Sequence, residues 1–197
     1  MVSEHGTDPT PDKLQAIKDW PIPRCLRDVR AFYGLTSYYR RFVRGFATKS
    51  EALARLMCQN ATFCWTPEAQ QAFDSLKDAL CNAVTLAFSS PGQTVILDTD
   101  ASDVAYGSIL STYVDGVERP IAFMSRVFNS AQRNYCPTRR ELLAVVAALQ
   151  HFRHYLLSVH IILRTDHYSL KWLRTFKKPE GMLARWVETL AEFDFEV

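Results

Sequence analysis

The chain has 197 residues, of which 48% are hydrophobic and only 7 are glycine, a composition that excludes disordered and fibrous proteins and predicts a globular core. Lys and Arg number 23 and Asp and Glu 21, so any affinity for nucleic acid has to come from local basic patches. No apolar run approaches the roughly 20 residues of a membrane span, and the N-terminus lacks the apolar segment of a signal peptide. We therefore expect an intracellular protein of the cytoplasm or nucleus without a membrane partner. We expect the 5 cysteines, which show no metal-binding spacing, to be reduced thiols in the core.

The first part of the chain has the apolar spacing of helices. Two prolines, Pro21 and Pro23, end the first predicted helix, and Thr66 followed by Pro67 is a typical helix start, with threonine as N-cap and proline in the first turn. No strand pattern precedes Leu86. Residues 1–88 are therefore expected to form a small, mostly helical domain with helices at 12–20, 26–44, 50–57 and 66–80.

Beyond a turn-rich stretch at 89–92, short runs of β-branched and aromatic residues alternate with turn residues, which predicts an antiparallel meander. Asp115-Gly116 is a typical hairpin turn. A long apolar helix then crosses to a further strand, so residues 89–197 are expected to form an α/β (α+β) domain with helices packed on a mixed sheet. The expected strands are 94–100, 107–113, 120–126 and 160–165, and the expected helices are 138–155, 169–175 and 181–192.

Three carboxylates occupy positions that favour metal-dependent chemistry. Two predicted strands end in a Thr-Asp dipeptide, at Asp100 and Asp166, and the carboxyl ends of strands are where ligands collect in sheets with crossover connections. Glu141 lies near the start of the long helix, on its apolar face. Desolvated carboxylates need a compensating cation, and oxygen ligands favour Mg²⁺. Asp98, which shares a strand face with Asp100, is a second-choice ligand or a neighbour that raises the pKa of the site.

Each carboxylate also has a structural interpretation of about equal weight. Glu141 follows Thr138 by three residues, the spacing of a capping box. Asp166 could be the N-cap of the next helix, and Asp100 could close a turn with residue 102 or 103. Spacing alone leaves both interpretations open.

Two basic runs are candidate nucleic-acid surfaces. In the first, arginines alternate with tyrosines, a composition suited to phosphate contacts and base stacking, and the second follows the fourth predicted strand. A solvated helix face explains either run equally well. The candidate nucleic-acid-binding residues are Arg27, Arg30, Arg40, Arg41, Lys171 and Arg174.

Several sequence blocks together resemble one family. The chain is similar to the Pol polyprotein of gypsy-type LTR retrotransposons, from the thumb and connection segment that ends the reverse transcriptase into the RNase H domain. The blocks in the first part are residues 11–21, 30–42 and 63–77. Those in the second part are residues 99–102, 119–122, 134–135, 141–146 and 164–167.

The resemblance implies an RNase H-like sheet of three antiparallel strands followed by a parallel one. It also implies a metal-dependent endonuclease that cuts the RNA strand of RNA/DNA hybrids. By this match Asp100, Glu141 and Asp166 correspond to three of the family's four metal-binding carboxylates, which hold two Mg²⁺ ions, with Mn²⁺ as a substitute. The implied partners are the hybrid and the remainder of a reverse transcriptase polyprotein. The sequence leaves open whether the chain also forms a dimer.

Two departures from the family pattern qualify this expectation. The paired aspartates of the polymerase site do not occur in this chain, and the family's fourth carboxylate would follow Val197. We therefore expect an RNase H domain truncated at its C-terminus, without DNA synthesis. The alternative is a catalytically impaired nucleic-acid-binding or interaction module left from a retroelement.

Overall fold

The computed structural model describes residues 1–3, 6–59, 62–90, 92–165 and 180–197, and the chain divides into two compact units, residues 1–86 and 87–197. The division falls two residues before the expected one. Leu86 exchanges both backbone hydrogen bonds with Thr7 in the first unit, whereas the amide of Ala87 donates to the Pro120 carbonyl in the second. Backbone pairing therefore places the boundary between residues 86 and 87.

The first unit is mostly helical, as predicted. Its second predicted helix is shorter than expected: it gives way after Tyr38 to a 3₁₀ turn at Arg40–Phe42. Gly45 then adopts a left-handed φ of 68°, which interrupts the helical run. The helices are α1 (Pro11–Lys18), α2 (Leu26–Tyr38), α3 (Phe46–Lys49), α4 (Glu51–Leu56) and α5 (Pro67–Cys81).

The N-terminus carries a ladder that the sequence did not predict. The two-residue strands β1 (Val2–Ser3) and β2 (Gly6–Thr7) pair antiparallel. Two residues are too few to show a strand's alternating pattern, so this pairing could not be recognised from the sequence.

The second unit contains, within its described residues, a five-stranded mixed sheet in the order β5-β4-β3-β6-β7. Strands β3, β4 and β5 form the predicted antiparallel meander, and β6 lies parallel to β3, so the predicted fold class is confirmed. A short final strand pairs parallel with β6. The strands are β3 (Val95–Ala101), β4 (Ala105–Val114), β5 (Val117–Val127), β6 (Ile161–Thr165) and β7 (Phe195–Glu196).

The β4–β5 hairpin has the predicted two-residue turn. Asp115 and Gly116 both have positive φ, 52° and 76°, which is the geometry of the turn that matches the twist of paired strands. Aspartate tolerates this conformation and glycine adopts it without strain.

Helices cover one face of this sheet. The apolar residues of α7 pack in one hydrophobic core with alternate residues of β3, β4 and β6, such as Leu97, Leu110 and Leu163. The predicted helix 138–155 is interrupted at Phe152, and the one expected at 169–175 lies outside the described residues. The described helices are α6 (Ser130–Arg133), α7 (Pro137–His151), α8 (Arg153–Leu156) and α9 (Met182–Ala191). None of the helices in the described part of the chain has the length and apolar character needed to cross a membrane. All 5 cysteines are exposed free thiols, so their predicted location in the core is wrong.

The orientation of α7 can be tested with two neighbouring leucines. Leu142 is fully buried in the core, whereas Leu143 is half-buried at its edge. Leu142→Ala should lower the free energy of unfolding by about 3 kcal/mol because it opens a cavity in a close-packed core. Leu143→Ala should lower the free energy of unfolding by no more than about 1 kcal/mol. Urea denaturation of the full chain measures both; equal losses would mean that α7 presents a different face to the sheet.

Candidate active site and nucleic-acid surface

Asp100 is exposed near the carboxyl end of β3, opposite Gly107 of β4. Side chains alternate along a strand, and Val95 and Leu97 belong to the core beneath α7. Asp98 and Asp100 therefore project from the other face of the sheet. From there the Asp100 carboxylate is accessible to a ligand at the rim.

Ser102, rather than Asp100, closes the turn after β3. Its hydroxyl donates to the Ala105 carbonyl at 2.9 Å and accepts from the Ala105 amide at 3.0 Å and the Val104 amide at 3.3 Å. The turn-closing interpretation of Asp100 is therefore not what the structure shows.

Glu141 is the fifth residue of α7, and its capping-box interpretation is wrong. The helix begins at Pro137 with Cys136 as N-cap and no side-chain cap bond, so Thr138 already lies inside the helix. Proline in the first turn shifts the helix start ahead of threonine. The Glu141 side chain is half-buried, and its Oε2 is shielded from solvent.

Arg140 holds the start of α7 against the turn that follows β3. Its Nη1 donates to the Ser102 carbonyl at 3.3 Å and to Asp103 Oδ1 at 2.5 Å. The arginine side chain is only 13% exposed, whereas the side chain of Asp103 is 91% exposed. The arginine is therefore the partner that is packed against the protein. Because Asp100 and Glu141 flank this contact in sequence, their backbone segments lie at the same end of the sheet.

The third predicted ligand, Asp166, lies outside the described residues, as do Lys171 and Arg174. Its neighbour Thr165 ends β6 and pairs in parallel register with Thr99, the residue before Asp100. Among residues 1–3, 6–59, 62–90, 92–165 and 180–197, no three His, Cys, Asp or Glu side chains are grouped closely enough to hold a metal. A three-carboxylate centre at this end of the sheet thus requires Asp166.

A polar network that the sequence did not predict crosses the sheet face opposite α7. Arg164 Nη1 donates to Glu118 Oε2 at 3.0 Å and lies 3.9 Å from Asp98 Oδ1. Its Nη2 lies 3.5 Å from the Tyr113 hydroxyl, and the Ser111 hydroxyl donates to Glu118 Oε1 at 2.8 Å. We call Arg164, Glu118, Ser111 and Tyr113 the arginine strap. It extends across four neighbouring strands, from β6 to β5, a distance of three strand spacings or roughly 14 Å.

The arginine strap sets the ionisation of Glu118. The hydrogen bond from Ser111 is the main cause that holds the pKa of Glu118 below its usual 4.5, and Arg164 lowers it further while partial burial opposes both. Asp98 lies beside the same guanidinium, which places its carboxylate in an ion pair rather than free at the rim. Only the strand register reveals that these residues meet.

The first basic run lies on the first unit. Arg27, Arg30, Gly34 and Tyr38 are exposed and recur at helical spacing along the solvent face of α2. Tyr38 is 78% exposed and packs edge-on against the buried Tyr39, with ring centroids 5.0 Å apart. Arg40 and Arg41 follow; they are also exposed, and their guanidinium groups lie over the rings of Phe46 and Phe42.

The comparisons with known proteins agree with this fold. Residues 90–193 match the family model described as "RNase H-like domain found in reverse transcriptase". The chain belongs to this family. Its relatives include the retrovirus-related Pol polyprotein from transposon 297 of Drosophila melanogaster, 36% identical over 199 residues, and that from transposon 412, 34% identical over 195 residues. The Tf2-3 transposon polyprotein of Schizosaccharomyces pombe is 32% identical over 201 residues.

The alignments cover 99 to 100% of this chain but only 15 to 18% of the relatives' length. The similarity to retrotransposon Pol polyproteins predicted from the sequence blocks is thereby confirmed. Among solved structures, the foamy viral protease-reverse transcriptase dRH in complex with double-stranded DNA superimposes with a TM-score of 0.81 and 20% identity. The foamy viral protease-reverse transcriptase in complex with an RNA/DNA hybrid superimposes with a TM-score of 0.80 and 20% identity. These two matches cover 99% of this chain and 36% and 28% of the viral chain, and they establish the fold.

The arginine strap predicts a pH-dependent contribution to stability. Because the pKa of Glu118 is lowered in the folded state, its contribution is present above the unfolded-state pKa and is lost as pH falls through the folded-state pKa. Glu118→Gln should therefore lower the free energy of unfolding by up to about 1 kcal/mol at neutral pH. The difference from the wild type should vanish near pH 2.

Urea denaturation at a series of pH values measures this difference. Glu188→Gln, at an exposed position of α9, is the matched control and should leave stability unchanged at every pH. If Glu118→Gln lowered the free energy of unfolding by the same amount at neutral pH and near pH 2, the ionic role of Glu118 would be contradicted.

Proposed function

We propose that the second unit is a divalent-metal-dependent RNase H that hydrolyses the RNA strand of RNA/DNA hybrids by endonucleolytic cleavage. Asp100, Glu141 and Asp166 are its proposed metal ligands. The observation that carries this proposal is the contact of Arg140 with the turn after β3, which holds the segments of Asp100 and Glu141 at one end of the sheet. Membership of the RNase H-like family supports the reaction class.

The donor set suits Mg²⁺, with Mn²⁺ as a substitute. Carboxylate oxygens are the ligands that hard divalent cations prefer. The shielded Oε2 of Glu141 and the accessible carboxylate of Asp100 provide one rigid and one solvent-facing oxygen donor. Neighbouring carboxylates repel one another unless a cation compensates their charge, which gives a physical reason for a metal at this rim.

The protein's own residues position the proposed metal-binding carboxylates at the rim of the sheet. Asp100 reaches the rim from the face opposite α7, and Glu141 reaches it from the helix. Two divalent ions, when bound, supply activation of the attacking water and stabilisation of the leaving oxygen. Arg140, engaged by Ser102 and Asp103, keeps the two carboxylate-bearing segments in register.

The proposed substrate is an RNA/DNA hybrid held through its backbone. The foamy viral protein of the same fold has been solved with such a hybrid, which supports this substrate class. Hybrid duplexes are recognised mainly through phosphates and 2′-hydroxyls, so exposed arginines suffice. On the first unit, Arg27, Arg30, Arg40 and Arg41 are the proposed phosphate contacts, and Tyr38 offers an exposed ring; Lys171 and Arg174 are proposed from sequence alone.

We further propose that the chain acts as part of a longer Pol polyprotein. The relatives are Pol polyproteins of which this chain spans 15 to 18%. The first unit is the proposed thumb and connection segment of the reverse transcriptase. The paired aspartates of a polymerase site do not occur in this sequence, so DNA synthesis is assigned to the remainder of the polyprotein. A dimer stays a prediction.

Hybrid cleavage tests the nuclease proposal. Purified chain with Mg²⁺ should cut the labelled RNA strand of a hybrid, and Asp100→Asn or Glu141→Gln should reduce the rate by about a thousandfold or more because each removes a charged metal ligand. Asp115→Asn is the matched control. It changes the same functional group in the β4–β5 turn, at the opposite end of the sheet, where asparagine tolerates the positive φ.

Two outcomes decide against the proposal. No cleavage by the wild-type chain above the Asp100→Asn background, with hybrid binding intact, would favour the catalytically impaired binding module. A similar loss of rate in Asp115→Asn would mean that the effect is structural and not local to the candidate site.

The nucleic-acid surface on α2 makes a separate prediction. Arg27→Ala/Arg30→Ala should weaken hybrid binding about tenfold and reduce the slope of log affinity against log salt by about 2, because two phosphate contacts are lost. Fluorescence anisotropy at several salt concentrations measures both quantities. Arg55→Ala is the control, since Arg55 is exposed but paired with Glu51 at 2.6 Å. Because this control removes one charge and the double variant removes two, a loss of binding half as large in the control would assign the effect to net charge.

A further inference from the structure

Three hydroxyl groups lie side by side across the sheet of the second unit. Thr99 of β3 pairs with Ser108 of β4 on one side and with Thr165 of β6 on the other. Directly paired residues of neighbouring strands project to the same face. The three side chains therefore form one line, which we call the hydroxyl row.

The hydroxyl row lies on the face that α7 covers. Two residues away along each strand are Leu97, Leu110 and Leu163, and all three belong to the core that α7 enters. Since side chains alternate with a period of two, each hydroxyl projects to the same side as its neighbouring leucine. Asp100, one residue from Thr99, projects to the opposite side.

These hydroxyls are buried without hydrogen-bond partners in the described part of the chain. Thr99 and Ser108 are each 5% exposed, and the hydroxyl oxygens of Thr99, Ser108 and Thr165 are all shielded from solvent. A buried hydroxyl without a partner destabilises the fold, and valine or alanine would fill the same space without that cost. Buried polar groups that lack a protein partner are ordinarily bound by ordered water.

Two members of the row directly precede candidate metal ligands in the sequence, and the helix that carries the third ligand packs over the strands of the row. Thr99 directly precedes Asp100, and Thr165 directly precedes Asp166 in the sequence. Helix α7, which carries Glu141, packs over β3 and β4, and the Oε2 atom of Glu141 is also shielded from solvent. The polar atoms of the row and of this carboxylate therefore share the covered side of the sheet.

We propose that the hydroxyl row binds ordered water that hydrogen-bonds the Glu141 carboxylate, so that Thr99, Ser108 and Thr165 are positioning residues for the candidate metal centre. This inference rests on the proposed function for the role of Glu141 as a ligand. A water held by two hydroxyls donates a hydrogen bond to the Glu141 carboxylate. This bond fixes the orientation of the carboxylate group toward the metal. Partners of metal ligands commonly tune affinity in this way.

Isosteric variants of the full chain test the proposal. Ser108→Ala is the principal variant because Ser108 lies on β4, separated in sequence from every candidate ligand. Calorimetric titration with Mn²⁺ should show affinity about tenfold weaker in Ser108→Ala and in Thr99→Val, and near wild-type affinity in Thr99→Ser, which restores the hydroxyl.

The control variant is Thr112→Val in the same strand pair. Thr112 is fully buried, but its hydroxyl already donates to the Thr94 carbonyl at 2.9 Å. Thr112→Val should have a lower free energy of unfolding in urea and an unchanged affinity for Mn²⁺. A purely structural role of the hydroxyl row would make Ser108→Ala behave like this control.

A high-resolution crystal structure supplies a readout independent of metal binding. The proposal expects a water within hydrogen-bond distance of Thr99 Oγ1 or Ser108 Oγ and of Glu141. Unchanged Mn²⁺ affinity in both Ser108→Ala and Thr99→Val, or a row without water, overturns it. A wild-type chain that neither binds Mn²⁺ nor cleaves hybrid refutes the nuclease proposal and the positioning role toward a metal, whereas a bridging water in that chain would still support the contact between the hydroxyl row and Glu141.

Discussion

Arg140 joins helix α7 to the turn after β3 by hydrogen bonds, and the arrangement of the candidate active site depends on this contact. The arginine side chain is 13% exposed and donates to both the Ser102 carbonyl and Asp103. A helix and a strand far apart in sequence are thereby held together at one end of the sheet. Hydrogen bonds from a charged donor are stronger than those between neutral groups, and the two acceptors belong to neighbouring residues of one turn, so the contact holds the helix to that turn.

The alternation of side chains along β3 gives the sheet two chemically different faces. On the α7 side, apolar residues pack in the core and the hydroxyl row lies beside the helix. On the other side, Asp98 and Asp100 share the face with the arginine strap. Arg164 pairs with Asp98 and so distinguishes it from Asp100, which stays exposed at the rim. One strand thus supplies both a structural carboxylate and a candidate metal ligand.

The sequence predicts the meander, the crossover helix and the positions of Asp100 and Glu141, because strand ends and helix starts have local signatures. It places the start of α7 wrongly with respect to Thr138, since Pro137 extends the first turn backwards. The arginine strap and the hydroxyl row could not be predicted. Arg164 and Glu118 meet only after four strands adopt their register, and isolated threonines and serines are ordinary strand residues.

Carboxylates from β3 and α7 are proposed to share a divalent cation at the carboxyl end of the sheet. Anomalous diffraction from crystals of the full chain soaked in Mn²⁺ would locate such an ion. We expect an Mn²⁺ peak coordinated by carboxylate oxygens of both Asp100 and Glu141. Well-ordered side chains of these two residues with no shared peak, or a peak bound by only one of them, would rule out the shared cation.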